Sequence, residues 1–215
     1  MPAAIVIGAG PGIGAAVARR LAKEGLAIGV IARSEATVEA AERVVAEHGG
    51  EAVGATADVT DEAALRAALD AIVERLGVPE VLVYNAALIQ SDAIGDLTAA
   101  QHLEACAVNV VGAITAAAHV GPRMADAGGG TILLTGGMPE MVPGVASLSL
   151  GKAGLRALTE LLQKQFGDAG VHVATITVAG TVAPGTAYDP DDIAEHYWRL
   201  HTQPVGAWER EVVHG

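Results

Sequence analysis

The stretch Ala3-Ala4-Ile5-Val6-Ile7-Gly8-Ala9-Gly10-Pro11-Gly12-Ile13-Gly14 constrains this chain more than any other. An apolar run this short reads as a buried parallel strand, and it ends at Gly8. An amphipathic helix starts near Ile13, with Val17, Leu21 and the basic pair Arg19-Arg20. Glycines at 8, 12 and 14 let the chain turn tightly, let backbone approach a phosphate and let helix pack on strand. The N–H groups of that helix's first turn then face an anion. The spacing is Gly-x-x-x-Gly-x-Gly, because Ile13 stands where a Gly-x-Gly-x-x-Gly fingerprint needs glycine. At the first strand-to-helix turn, this pattern points to a bound nucleotide more than to turn chemistry alone.

Apolar runs and helical patterns alternate along the rest of the chain. Strands are predicted at 3–7, 27–32, 51–55, 80–84, 130–135, 171–177 and 210–213, and helices at 13–24, 35–48, 61–76, 99–125, 148–167 and 190–201. Ser34 and Thr60 or Asp61 sit where N-caps belong, and Gly49-Gly50, Gly77 and Gly167 where helices stop. Repeated βα alternation predicts an α/β fold, one doubly wound parallel sheet of about seven strands with helices on both faces. No linker or repeat divides the 215 residues, so the chain reads as one domain over 1–215. Ligands in such sheets bind beyond the C-terminal ends of the strands.

Composition narrows the partners. A formal charge of −12 disfavours nucleic acid and anionic membrane surfaces. Hydrophobic residues make up 51%, yet no uncharged stretch approaches a membrane span and no basic region precedes the first apolar run, so a cytoplasmic protein is expected. Cys106, the single cysteine, reads as a buried structural thiol, and the seven histidines show no metal-ligand spacing.

Several spaced features together resemble the short-chain dehydrogenase/reductase family over essentially the whole length. Gly8, Gly12 and Gly14 match its glycine turn, with Ile13 among the backbone that cradles the diphosphate. Asp58-Val59 matches the carboxylate that receives the adenine amino group, and Tyr84-Asn85-Ala86-Ala87 a modified Asn-Asn-Ala-Gly. Asn109 matches the helix asparagine that holds a proton-relay water, Lys152 the lysine that binds nicotinamide ribose, and Gly180-Thr181-Val182 the segment that contacts the carboxamide. The resemblance implies a Rossmann-like sheet of order 3-2-1-4-5-6-7, a nicotinamide dinucleotide and a small-molecule substrate. It also implies a homodimer or homotetramer formed through helices 99–125 and 148–167. Singly, Asp58 reads equally well as a turn residue, Asn109 as a polar residue bonding its own helix and Lys152 as a solvated helix lysine.

The end of the second strand selects the cofactor. A site that prefers NAD places Asp or Glu there, roughly 20 residues past the glycines. This chain has Ala32-Arg33-Ser34 instead, and a guanidinium can fork onto a 2′-phosphate. NADP(H) is therefore expected over NAD(H), with Arg33 and Ser34 in contact. Ser34 also reads as an N-cap, and Glu35 adds a nearby negative charge.

The chain departs from the family where the chemistry occurs. Leu148 occupies the place of the proton-donating Tyr, four residues before Lys152, and Gly137 the place of the Ser after the fifth strand. Losing general-acid catalysis costs ~10²–10⁴ in rate, and losing an oxyanion donor about as much. A substitute donor is sought among Glu140, Thr135, Ser147, Ser149, Tyr188 and His196, with Tyr188 first because a phenol is the missing group. The substrate is then a carbonyl with a non-standard donor, an imine or a conjugated alkene. A non-redox lyase, isomerase or cyclase, or a non-catalytic nucleotide-binding subunit, stays open beside that reading. The usual helical lid is also short: Gly180 to Tyr188 leads straight into the next helix, leaving room for a bulky substrate. Tyr197, Trp198 and Trp208 read as core, substrate wall or interface.

Overall fold

In the computed structural model, which describes residues 2–215, every strand pairs in parallel because a crossover returns the chain to the same end of the sheet each time. The elements are β1 (Ala3–Ile7), α1 (Ile13–Lys23), β2 (Ala27–Ala32), α2 (Glu35–Ala46), β3 (Ala52–Thr56), α3 (Glu62–Leu76) and β4 (Val81–Tyr84). There follow α4 (Ala99–Cys106), a π-helical turn (Ala107–Val111), α5 (Gly112–Asp126), β5 (Gly130–Thr135), α6 (Ala146–Phe166), β6 (Val171–Val178), α7 (Pro190–His201) and β7 (Glu211–His214). The sheet order is β3-β2-β1-β4-β5-β6-β7, as the resemblance implies. Chain direction across the sheet reverses between β1 and β4, and a crevice opens there at the strand C-termini.

Both sheet faces are covered, so the strands need no polar alternation. β1, β2 and β4 are buried at every position. One core layer lies under α1, α2 and α7, with Val17, Leu21, Val38 and Tyr197 against Val6, Val30 and Ile176. The other lies under α3, α5 and α6, with Leu65, Ile72, Met124 and Leu162 against Ile5, Leu82 and Ile132.

Helix starts follow their caps. Ser34 accepts from Thr37 N–H, Asp61 from Ala64 N–H and Asp189 from Asp191 N–H, while Thr98 and Gln101 form a capping box. α6 lacks a cap of its own and begins two residues before the predicted 148. Its cap comes from a distant loop. The buried Asp92 carboxylate accepts from Ser147 N–H at 3.1 Å, and the Asp92 carbonyl accepts from Ala146 N–H.

Three expectations need correction. The helix predicted over 99–125 is two helices joined by the π turn, which Tyr84 helps to stabilise by donating its buried hydroxyl to the Val108 carbonyl. Cys106 is exposed, because Ala105 takes the inward-facing place on α4. Finally, Ala99–Asp126 is long and apolar enough by length and composition to cross a membrane, contrary to the sequence reading. In this fold that stretch packs against α3, α6 and β4.

Candidate active site

α1 alone among the helices that start afresh from a loop has neither its own side-chain cap nor a borrowed one. Its N-cap is Gly12, at φ 105°; no acidic residue lies in its first turn, while Arg20 and Lys23 lie in its last. That arrangement leaves the positive end of the helix dipole open to an anion. The glycines divide their work. A Cβ on Gly8 would come within 2.5 Å of Ala86 N, and one on Gly14 within 2.2 Å of the Gly8 carbonyl oxygen, so packing excludes side chains there. A Cβ on Gly10 or Gly12 would meet nothing within 4 Å, which leaves bare backbone facing the crevice. The residues present fit a dinucleotide diphosphate.

The crevice is a cleft of about 800 Å³ across the strand C-termini. Gly8, Gly12, Ile13, Arg33, Ser34, Val59, Asn85, Ala86, Lys152 and Val182 all line it, so ten of the expected cofactor contacts come together. Gly14 lies just behind them, against Gly8 and the Asn85 amide. Asn85 donates its Nδ2–H to the Gly8 carbonyl at 2.8 Å, tying the β4 loop to the glycine turn. Ser34 is the α2 cap and a cleft residue at once. Arg33 makes no ion pair among the described residues, and no carboxylate lines the cleft beside it. Asp58 lies beside the cleft between two lining residues. Its Oδ1 accepts from Thr60 N–H and Oγ1–H, which hold the carboxyl below its usual range, and Oδ2 has no protein partner.

At the other end, Lys152 reaches from α6 to donate to the Thr135 carbonyl at 2.7 Å. Burial pulls its ammonium down to about 8. Of all the residues lining the cleft, only Arg33 and Lys152 are ionisable. Hydroxyls are equally scarce. Ser34 and Thr37 belong to the Arg33 end, and Thr135 Oγ1 turns away to the buried Tyr197 hydroxyl at 2.6 Å. Leu148 lines the cleft near Lys152. A Cβ on Gly137 would have no neighbour nearer than 3.4 Å, so the bare backbone there is not forced by packing.

The remaining donor candidates lie elsewhere. Tyr188 does not line the cleft; its ring packs on Gly180 and against His214. A phenol wedged there covers the C-terminal strand rather than the inner cleft. Ser147 belongs to the Asp92 cap, Ser149 bonds the Val142 backbone, His196 bonds His214 and Glu140 is exposed outside the lining. Tyr197 is core, and Trp208 stacks flat on His172 at 5.0 Å.

Asn109 sits buried in the π turn. Its side chain accepts from Leu88 N–H at 2.8 Å and donates to the Leu88 carbonyl at 3.2 Å, so both of its polar ends grip the loop after β4. Gly151 lets α6 close on it, since a Cβ there would lie 2.6 Å from that of Asn109. Sequence reasoning missed Arg156, one turn beyond Lys152. Arg156 Nη1–H donates to the carbonyls of Gly137 at 2.9 Å and Met138 at 3.3 Å. The loop it holds contains Met138, the one described non-glycine residue with positive φ, 52°. Its i, i+4 spacing from Lys152 was the available signal.

The chain matches the short chain dehydrogenase family over residues 2–193. It is 30% identical over 214 residues to a short-chain dehydrogenase/reductase of Armillaria gallica, covering 97% of this chain and 79% of the relative. A metagenomic short-chain oxidoreductase solved in complex with NADP superposes with a TM-score of 0.89 at 28% identity, covering 99% of this chain and 95% of that one. An alcohol dehydrogenase from the archaeon Thermococcus sibiricus, complexed with 5-hydroxy-NADP, gives 0.89 at 26% identity over 99% of this chain and 95% of its own.

Proposed function

The chain belongs to the short-chain dehydrogenase/reductase family, and we propose that it is an NADP(H)-dependent oxidoreductase whose proton donor is Lys152. A bound nicotinamide supplies or accepts the hydride, with a carbonyl, imine or conjugated alkene as its counterpart. The observation that carries the assignment is the charge pattern of the cleft: one guanidinium at the β2 end, one ammonium at the other and no further ionisable group between them. Arg33 supplies the fork that a 2′-phosphate needs, and no carboxylate in the lining takes the ribose hydroxyls in its place. The solved relatives bound to NADP and 5-hydroxy-NADP support that choice.

In this reading Lys152 replaces the missing phenol. One of its three N–H bonds goes to Thr135, leaving two for the cleft. A donor that titrates near 8 is matched to neutral operation. It passes its proton to the heteroatom of the reduced substrate and is reprotonated by water. Asn109 acts one step back: its side chain is committed to Leu88, so it fixes the loop walling the cleft, and any relay water must use the backbone of the π turn. We further propose a homo-oligomer formed through α4, α5 and α6, where Leu103, Ile114, Leu150 and Leu161 are exposed.

The test is NADPH oxidation against a panel of ketones, cyclic imines and enones between pH 6 and 9. Turnover with at least one class, falling as pH rises through about 8 and abolished by Lys152→Met, is the expected result. NADPH binding with no oxidation across the panel would favour the non-redox or non-catalytic alternatives.

A further inference from the structure

The inner cleft offers a substrate few polar side chains to bond. Its walls there are Leu88, Ile89, Val108, Met138, Leu148 and Val182. The polar side chains beside them are few: Asn85, which donates to Gly8, Thr135, which bonds Tyr197, and Lys152, which spends one of its three N–H bonds on the Thr135 carbonyl. The apolar surface continues outward. Ile89 is 73% exposed and Ile94 80%, and on the facing loop Met141 and Val142 are also exposed. Asp92 and Ser149 fix the two loops side by side. Asp92 N–H bonds the Gly144 carbonyl, its carboxylate holds Ser147, and Ser149 Oγ–H and Val142 exchange hydrogen bonds. No helix covers them from the β6 side, because the chain turns from Val178 directly into α7 at Pro190.

Together these features form one apolar track, from Leu148 beside the lysine out to a rim at Ile89 and Met141. The geometry points to an elongated, uncharged, apolar substrate: a reacting group at the inner end and a hydrocarbon body lying along the track to the rim. An apolar chain gains from every methylene it buries there. A carboxylate or phosphate on the body would find no cation beyond Lys152, and it would approach a chain of net charge −12. Met138 serves as a specificity-determining wall, since its left-handed backbone is held in place by Arg156 and strain of that kind is kept where a site needs it.

This inference deepens the redox reading and rests on it for the position of the reacting group. Its test is binding. Nile red is displaced by unbranched 2-alkanones from six to fourteen carbons and by carboxylates of matched length. Affinity should rise about two- to fourfold per added methylene, by the usual gain for burying one. Carboxylates should bind at least about tenfold more weakly. Ile89→Ser combined with Met141→Ser should flatten the gain for the longer ketones only and leave the melting temperature unchanged, because both side chains are exposed. Met138→Gly should erode discrimination between branched and unbranched ketones. Equal affinity for ketone and carboxylate, no dependence on length, or a gain that survives the rim variants would each overturn the inference. NADPH fluorescence on the same samples keeps the two readings apart. A chain that binds ketones without dinucleotide sinks the redox reading; one that binds dinucleotide without ketones sinks this one.

Discussion

Leu148 and Gly137 face the same part of the cleft as the carbon stem of Lys152, and neither side chain can donate a proton. Gly137 is not among the positive-φ glycines and has room for a side chain, so packing does not force its bareness. The double variant Gly137→Ser, Leu148→Tyr, where it folds, should gain at least about 10²-fold in NADPH-dependent reduction of cyclohexanone, measured by absorbance. No gain from a folded variant would show that the missing hydroxyls do not limit the chemistry. Lys152 makes a stability claim as well. Its native pKa of about 8 lies below the ordinary 10.5, so between those values the unfolded chain binds more protons and stability rises with pH. Below about 8 the buried ammonium is fully penalised, by about 3 kcal/mol. Lys152→Met should raise the melting temperature at pH 7 and lose the upward slope between pH 8 and 10. A variant equally sensitive to pH would place that titration elsewhere. At this scale the residues lining the cleft were legible because glycine, Arg33 and Asn85 sit at fixed offsets from strand ends. Tyr188 was misplaced because nothing in a sequence says which way a loop aromatic turns, and here it turns onto Gly180.

The elements that hold the site depend on contacts distant in sequence. α6 carries Leu148, Lys152 and Arg156, and its first turn is capped by Asp92, 54 residues before its first residue, Ala146. Hydrogen bonding from Ser147, by its side chain first and its backbone N–H second, keeps that carboxyl below its usual range, so the cap is present at neutral pH and lost as acid protonates it. Asp92→Ala should lower the melting temperature by roughly 3–6 °C and loosen the Lys152 contact. A calorimetric scan that shows no change would mean that Gln90 or water takes over the cap. The central strands were legible because burial on both faces makes them continuous apolar runs, and the starts of α2, α3, α4 and α7 because their caps are local; the start of α6 was not, because its cap is distant in sequence. The π turn was not, since it arises where buried Tyr84 takes the Val108 carbonyl and Gly112 makes room: a Cβ there would sit 2.3 Å from the tyrosine oxygen. That pairing spans 24 residues and leaves no periodic trace.

Over the whole molecule, the parallel sheet gathers six loops at the C-terminal end of its strands, and the cleft is their common surface. Alternating βα pattern was enough to anticipate this, because parallel strands joined by helical crossovers have few other solutions. The exposed leucines on α4 to α6 carry the assembly prediction: Leu150→Glu with Leu161→Glu should convert an oligomer to monomers by light scattering. Monomeric wild-type protein would remove the proposed interface. The central claim, that the cleft holds a phosphorylated nicotinamide dinucleotide with Arg33 on its 2′-phosphate, is tested most directly by calorimetry. NADPH should bind at least about tenfold more tightly than NADH, and Arg33→Asp should abolish that preference. Equal heats for the two dinucleotides, or no heat from either at millimolar concentration, would contradict the account.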